Sequence, residues 1–252
     1  MALWPFKPST LLDAETMQWH VDIACWFLRY RGGMLPQSPA RLILPAPGFY
    51  TNSGRGPYLG PKIFEQTKAF AGLADHEFEL ARDVSHTDPP PPEDPSAPRI
   101  AYASTLENKP FQLVAWFARA LARAVVDSIA EAPPCEHKQR AAAVDVVASL
   151  LGFGVFLADD AIRTERRSGV RYSYPAAVRN PEAALGEVEY VFELALFLTL
   201  HDLPADDAAR FLKAHLADRL KPALRDAQPF RHVLLAARAR GAARPRLIQA
   251  ME

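Results

Sequence analysis

The sequence predicts an α+β fold that is predominantly helical, with short strands on its N-terminal side packed on a helical bundle. Three observations predict it. From Asn108 onward, apolar residues recur almost continuously at helical spacing. The short apolar or alternating runs that read as strands all lie before that point. Between the two regions runs SHTDPPPPEDPSAP, 85–98, whose prolines lack the backbone donors that a helix interior or a central strand needs. A length of 252 residues suits one large domain or two small ones. The reading adopted is a single domain, 1–252, with a proline-rich loop at 85–98 and an arginine-rich tail at 238–252 that frays.

The first element is a helix over 13–31. Asp13 can cap it, Trp19, Ile23, Trp26, Phe27 and Tyr30 recur on one face, and Gly32-Gly33 stops it. RLILP, 41–45, is a short apolar run closed by proline and is predicted to be a strand. Residues 48–60 are rich in Gly, Asn, Ser and Pro and form a loop. Pro61 then suits a helix start, with Ile63, Phe64, Thr67 and Phe70 supplying one face through residue 72. Strands follow at 77–82 and, after the proline-rich run, at 99–103. That run is either an exposed polyproline stretch or a long hairpin connection.

The helical region opens with 108–130, where Leu113, Trp116, Phe117, Ala120, Leu121, Ala124 and Val125 form an apolar stripe. Pro133 and Pro134 break it. Residues 138–162 are apolar nearly all round, the signature of a buried central helix. Gly152 and Gly154 lower its helix propensity, so close packing is expected at both. Asn180-Pro181-Glu182 reads as the capped start of a helix through residue 200. Leu203-Pro204 opens another through 219, and Pro222 either begins a new helix or kinks this one.

Composition excludes some function classes. Basic and acidic residues both number 29, so no global field favours nucleic acid or a membrane surface. Hydrophobic residues at 49% are ordinary for a folded protein. A chain of this length buries roughly three quarters of its unfolded surface and needs no disulfide or metal to fold. Cys25, among Ala24, Trp26 and Phe27, reads as a core hydrophobe; Cys135 reads as a loop residue, with a bridge between the two as the minor alternative. The opening MALWPFKPST has no apolar h-region or cleavage site, and no run of ~18 uncharged apolar residues occurs. A cytoplasmic protein without a membrane span is the expectation. The seven histidines are scattered, so neither a metal nor another cofactor is expected.

Three segments, ARLILPAPGFY (40–50), LVAWFARALARAVV (113–126) and AAAVDVVASLLGFGVFLADDA (141–161), occur in an order that resembles a group of uncharacterised bacterial zinc peptidases of the gluzincin type. In that group the first is a strand with a Pro-aromatic turn. The second is the helix with His-Glu-x-x-His, and the third is a buried glutamate helix with a Gly-aromatic-Gly centre. The resemblance covers residues 40 to 225 and implies a zincin-like fold.

In such a site two imidazoles at i and i+4 face one metal ion and the glutamate between them is the general base. A carboxylate from a later helix completes the ligands. The resemblance lays this motif on Arg119-Ala120-Leu121-Ala122-Arg123 and the third ligand on Ala141, four residues before a retained Asp145. Arginine has no lone pair to offer and stays protonated, so it repels a divalent cation. Neither His-Glu-x-x-His nor His-x-x-x-His occurs anywhere in the chain. The resemblance therefore implies a catalytically inactive relative that acts by binding.

Arg119 and Arg123 share a helix face. Together they can clamp a carboxylate or phosphate; each can instead pair with an acid inside the protein, or both can be solvated. Pairing of Arg119 with Asp145 is the leading expectation, because in the family the equivalent aspartate braces a metal histidine. That pairing is compatible with an unengaged Arg123. Glu187, Glu189 and Glu193 follow on a later helix and can meet the arginines, although a solvated or salt-bridged face is the plainer reading. Asp159-Asp160 is expected to end the central helix in solvent. The candidate binding residues are thus Arg119, Arg123, Asp145 and Glu189, with an anionic small molecule, a peptide or a protein as partner. Two rival classes stay open. An unrecognised hydrolase requires a nucleophile or an acid/base pair with a perturbed pKa in the cleft, such as a buried Asp145 not paired with arginine, and a purely structural protein requires a cleft filled by side chains.

Overall fold

Helix α1, Ala14–Tyr30, begins where the sequence places its cap: Asp13 accepts the Thr16 amide and the Thr16 hydroxyl, each at 2.8 Å. The computed structural model describes residues 10–30, 41–46, 59–82, 98–168 and 173–242. The Gly32-Gly33 stop, the loop over 48–58, the proline-rich run up to 97 and the tail from 243 lie outside these residues. Helix α2, Leu59–Phe70, buries Ile63, Phe64 and Thr67, but Phe70 is 43% exposed. The chain turns at Phe70, and Ala71 and Leu73 point inward instead, so the expected apolar face ends one turn early.

Strand β1, Glu79–Arg82, pairs with β2, Arg99–Tyr102, in parallel, Glu79 opposite Arg99. Parallel pairing needs a crossover, so the hairpin alternative for the proline-rich connection is ruled out. The chain then runs through α3, Pro110–Ser128, and α4, Arg140–Ala148. After the π-helical turn Ser149–Phe153 come α5, Gly154–Asp160, and an antiparallel hairpin of β3, Ile162–Ser168, and β4, Ser173–Arg179. Helices α6, Glu187–His201, α7, Ala205–Ala209, α8, Ala214–Ala227, and α9, Arg231–Ala242, complete the described chain. Most described residues are helical and the strands are few and short, the α+β, predominantly helical class that the sequence predicts.

The apolar run from His137 to Asp160 is the centre of one continuous core that draws on both sides of the proline-rich segment. By length and composition this helical run is apolar enough to cross a membrane, which corrects the expectation that no such stretch occurs. In the fold, 89% of its most apolar window is buried against protein. α4 packs on α1 and α3, while α5 packs on α3 and α6. The run is not one straight helix. Gly152 adopts φ 101°, and a Cβ there would lie 2.3 Å from the Arg41 carbonyl oxygen. The Gly152 carbonyl in turn accepts the Ile43 amide at 3.0 Å. Segment 41–45 is not the strand predicted: its Ile43 amide is taken by the helix break and not by a partner strand. Gly154 has a different reason, since a Cβ there would meet Leu194 at 3.2 Å.

Three further expectations are corrected. The sequence reading has no strand over 162–179, because its charged residues and Pro175 show neither period clearly. Asn180-Pro181-Glu182 is a turn and not the start of α6, whose N-cap is Gly186. Pro222 does not begin a new helix but lies inside α8, which leaves the second alternative, a proline within a continuing helix. Within the tail, 238–242 continues α9, which packs on α1 closely enough that a Cβ on Gly241 would come within 2.2 Å of the Leu28 carbonyl oxygen.

Candidate functional site

Helix α3 carries Trp116, Arg119, Ala120 and Arg123 at i, i+3, i+4 and i+7, which places all four on one face. Helix α4 lies alongside and offers Ala141, Val144 and Asp145. These side chains, with Glu182 from the turn before α6, line a cavity of about 290 Å³. The positions that the sequence reading singles out as Arg119, Ala120, Arg123, Ala141 and Asp145 therefore line one cavity.

Arg119 is only 7% exposed, and each of its guanidinium nitrogens is engaged. Nε donates to Asp145 Oδ1 at 3.2 Å, Nη1 to Asp160 Oδ2 at 2.8 Å and Nη2 to the Tyr190 hydroxyl at 3.2 Å. The Tyr190 hydroxyl donates onward to Asp145 Oδ2 at 2.5 Å, and the Ala184 amide donates to the same oxygen at 2.8 Å. Asp160 also accepts from Arg163 Nε at 2.8 Å and Asn180 Nδ2 at 2.7 Å. Two arginines thus balance two aspartates, and the remaining lone pairs are filled by Tyr190, Asn180 and the Ala184 amide. A buried ion network is stable only when satisfied in this way.

The electrostatics follow from that packing. Burial works against charge on Arg119, but the Asp145 and Asp160 carboxylates outweigh it and the guanidinium stays protonated. Burial pushes the Asp145 carboxyl up, while Arg119, Tyr190 and the Ala184 amide pull it back. Three donors aimed at its two oxygens are the geometry of a carboxylate, and we take it as ionised. Burial, then the Asp145 charge, drives the Tyr190 hydroxyl well above its usual range, so it remains a neutral donor.

The expected Arg119–Asp145 pair is present, and with it the condition for a hydrolase built on an arginine-free Asp145 fails. Arg123 is exposed at the cavity and, among the described residues, makes no hydrogen bond or ion pair. Glu189 does not join the arginines. Its Oε2 accepts the Gly186 amide at 2.7 Å, which caps α6, and its Oε1 lies 3.5 Å from His20 Nε2. Asp160 does not tip into solvent, being 2% exposed at the heart of the network. Sequence reasoning missed Asp160 and Tyr190 as partners of Arg119, and Arg163 and Asn180 as partners of Asp160. Their one local signal was Asn180-Pro181, which is as typical of a turn as of a cap.

A second buried polar cluster lies between α1 and α6. His20, fully buried, sets Nδ1 2.5 Å from Glu193 Oε1, and Glu193 is also fully buried. Burial pulls His20 down, but Glu193 and Glu189 outweigh it and hold it up at about 9. Burial raises Glu193 more than His20 lowers it, so the pair retains a proton. This cluster does not line the Arg123 cavity. A larger cavity, about 390 Å³, sits where α6 meets α8 and α9, lined by Asp202 and Arg231 among others. There Arg231 Nε donates to the Thr199 carbonyl at 3.2 Å, satisfying one of the last carbonyls of α6. Among the described residues no group of three or more His, Cys, Asp or Glu is disposed to hold a metal ion. No protein-family model, curated protein or solved structure matches the chain.

Proposed function

We propose that the protein is a non-catalytic binding protein, a peptidase-like scaffold without its metal site, that takes an anionic ligand in the cavity between α3 and α4. The observation that carries this reading is Arg123. Its neighbour Arg119 is saturated by Asp145, Asp160 and Tyr190, whereas Arg123 is exposed at a cavity and has no partner among the described residues. An unpaired guanidinium beside apolar walls recognises carboxylate or phosphate through paired N–H donors. The resemblance to gluzincin-type peptidases supports the same place, since the positions aligned with its ligands and base, Arg119, Ala120, Arg123 and Ala141, all line this cavity. The cavity is not filled by side chains, which favours binding over a purely structural role. Cys25 and Cys135 are both free thiols, in keeping with a reducing compartment, and the reading places the protein in the cytoplasm.

Titration calorimetry with propionate and with inorganic phosphate, on the wild type and Arg123→Gln, tests this reading together with elemental analysis for zinc. Saturable anion binding that weakens about tenfold in the variant is expected, because a charged hydrogen bond contributes about 1.5 kcal/mol or more. Stoichiometric zinc, or anion binding that ignores the substitution, overturns it.

A further inference from the structure

We propose that the ligand of this cavity is a zwitterion of amino-acid size: a molecule with a carboxylate, an ammonium group and an apolar side group. The inference rests on the reading of the cavity as an anion site and adds a second charge to it. The added observation is Glu182. It lines the same cavity as Arg123, it is exposed, and its carboxylate makes no hydrogen bond or ion pair to another described residue. No ion pair joins it to Arg123 either. One cavity therefore holds a cation and an anion that do not neutralise each other, and a ligand with both charges satisfies both.

The buried network anchors the backbone that carries these two groups. Arg123 lies four residues beyond Arg119 on α3, about 6 Å along the helix axis. Glu182 is carried by the turn that Asn180 builds: the Glu182 amide donates to Asn180 Oδ1 at 3.1 Å, and Asn180 Nδ2 is held by Asp160 at 2.7 Å. Two residues on, the Ala184 amide is tied to Asp145 at 2.8 Å. The turn therefore crosses at the level of the Arg119–Asp145 pair, about one helical turn from Arg123. A network with no spare donor or acceptor for a ligand still fixes the backbone that carries Glu182 at the wall of the cavity that Arg123 also lines.

The remaining walls describe the rest of the ligand. Trp116 gives its indole N–H to the Ala101 carbonyl at 2.9 Å, so it presents an apolar ring to the cavity, with Ala120, Ala141 and Val144 beside it. A volume of about 290 Å³ equals that of about ten water molecules, which suits one amino acid and not a folded partner. An apolar amino acid presents its carboxylate to Arg123, its ammonium to Glu182 and its side chain to Trp116.

Calorimetry on the full chain with L-alanine, L-leucine and L-phenylalanine tests this against three phenyl probes that each lack one charge or carry only one. These are N-acetyl-L-phenylalanine, L-phenylalanine amide and 3-phenylpropionate. L-Phenylalanine is expected to bind about tenfold or more tightly than its acetylated or amidated counterpart. Glu182→Gln is expected to erase the preference for the free ammonium, while 3-phenylpropionate, freed of a neighbouring like charge, binds at least as well as to the wild type. Arg123→Gln is expected to erase the preference for the free carboxylate. Both residues are exposed, so both variants keep the wild-type melting temperature within a few degrees, which shows that the fold is intact. If 3-phenylpropionate or the acetylated probe binds as well as the free amino acid, or if Glu182→Gln changes nothing, the zwitterion is overturned and the anion site survives. If no carboxylate probe binds at all, the reading of the cavity as an anion site falls as well.

Discussion

At the residue scale, two arginines one turn apart on α3 do unlike work, and the difference is measurable. Arg119→Ala leaves Asp145 and Asp160 buried without their shared cation and is expected to cost about 3–5 kcal/mol in urea denaturation. Arg119→Lys should recover little of this, because the three acceptors are met by three separate nitrogens of a planar guanidinium, and a single ammonium nitrogen cannot reach all three positions. Arg123→Ala is expected to stay within about 0.5 kcal/mol of the wild type. His20 gives the second residue-scale prediction. Its folded pKa of about 9 lies above its ordinary 6.5, so its contribution to stability is complete below pH 6.5 and is lost as pH rises through 9. Glu193, raised by burial, acts in the same sense. Glu189 opposes it: burial pushes it up, but His20 and the Gly186 amide bring it below its ordinary 4.5, so its contribution disappears only in acid. The wild type should lose about 3 kcal/mol more than His20→Gln between pH 6 and pH 10, read from denaturation midpoints at each pH.

At the element scale, the central helical run works because it is broken. A straight helix over 138–162 would leave the 41–43 backbone without its partner; the turn at Gly152 offers a carbonyl to the Ile43 amide and admits the Arg41 carbonyl where a side chain would stand. Gly152→Ala forces a Cβ into that carbonyl at a left-handed φ. It is expected to cost about 1–3 kcal/mol and to accelerate hydrogen exchange at the Ile43 amide before exchange elsewhere rises. Equal acceleration across α4 and α5 would instead mean that the glycine serves helix packing as a whole. The elements that the sequence predicts well are those with local signals. Asp13 and Thr16 set the start of α1, and the all-apolar pattern of 138–162 marks the buried run. The hairpin β3–β4 was missed because each of its strands is paired by the other and shows little pattern alone.

At the scale of the whole molecule, α1 and α2 from before the proline-rich run and α3 to α6 from after it contribute to one core. Unfolding is therefore expected to be cooperative. Far-ultraviolet circular dichroism, dominated by the later helices, and the fluorescence of Trp19, Trp26 and Trp116 should report one midpoint in urea. Two separated midpoints would divide the chain at the proline-rich run. The sequence by itself determined the helical class and the burial of the 138–162 run, both written in periodicity and capping residues. The pairing of Arg119 with Asp145, 26 residues apart on two helices, is an expectation of the resemblance and not of any local pattern. Only the tertiary structure decided that Asp160, 41 residues from Arg119, and Tyr190, 71 residues away, complete that pair, and that His20 meets Glu193 across 173 residues. Such partners are chosen by which faces pack together. A buried charge accepts whichever opposite charge the packing brings within reach, and no local rule of spacing encodes that choice.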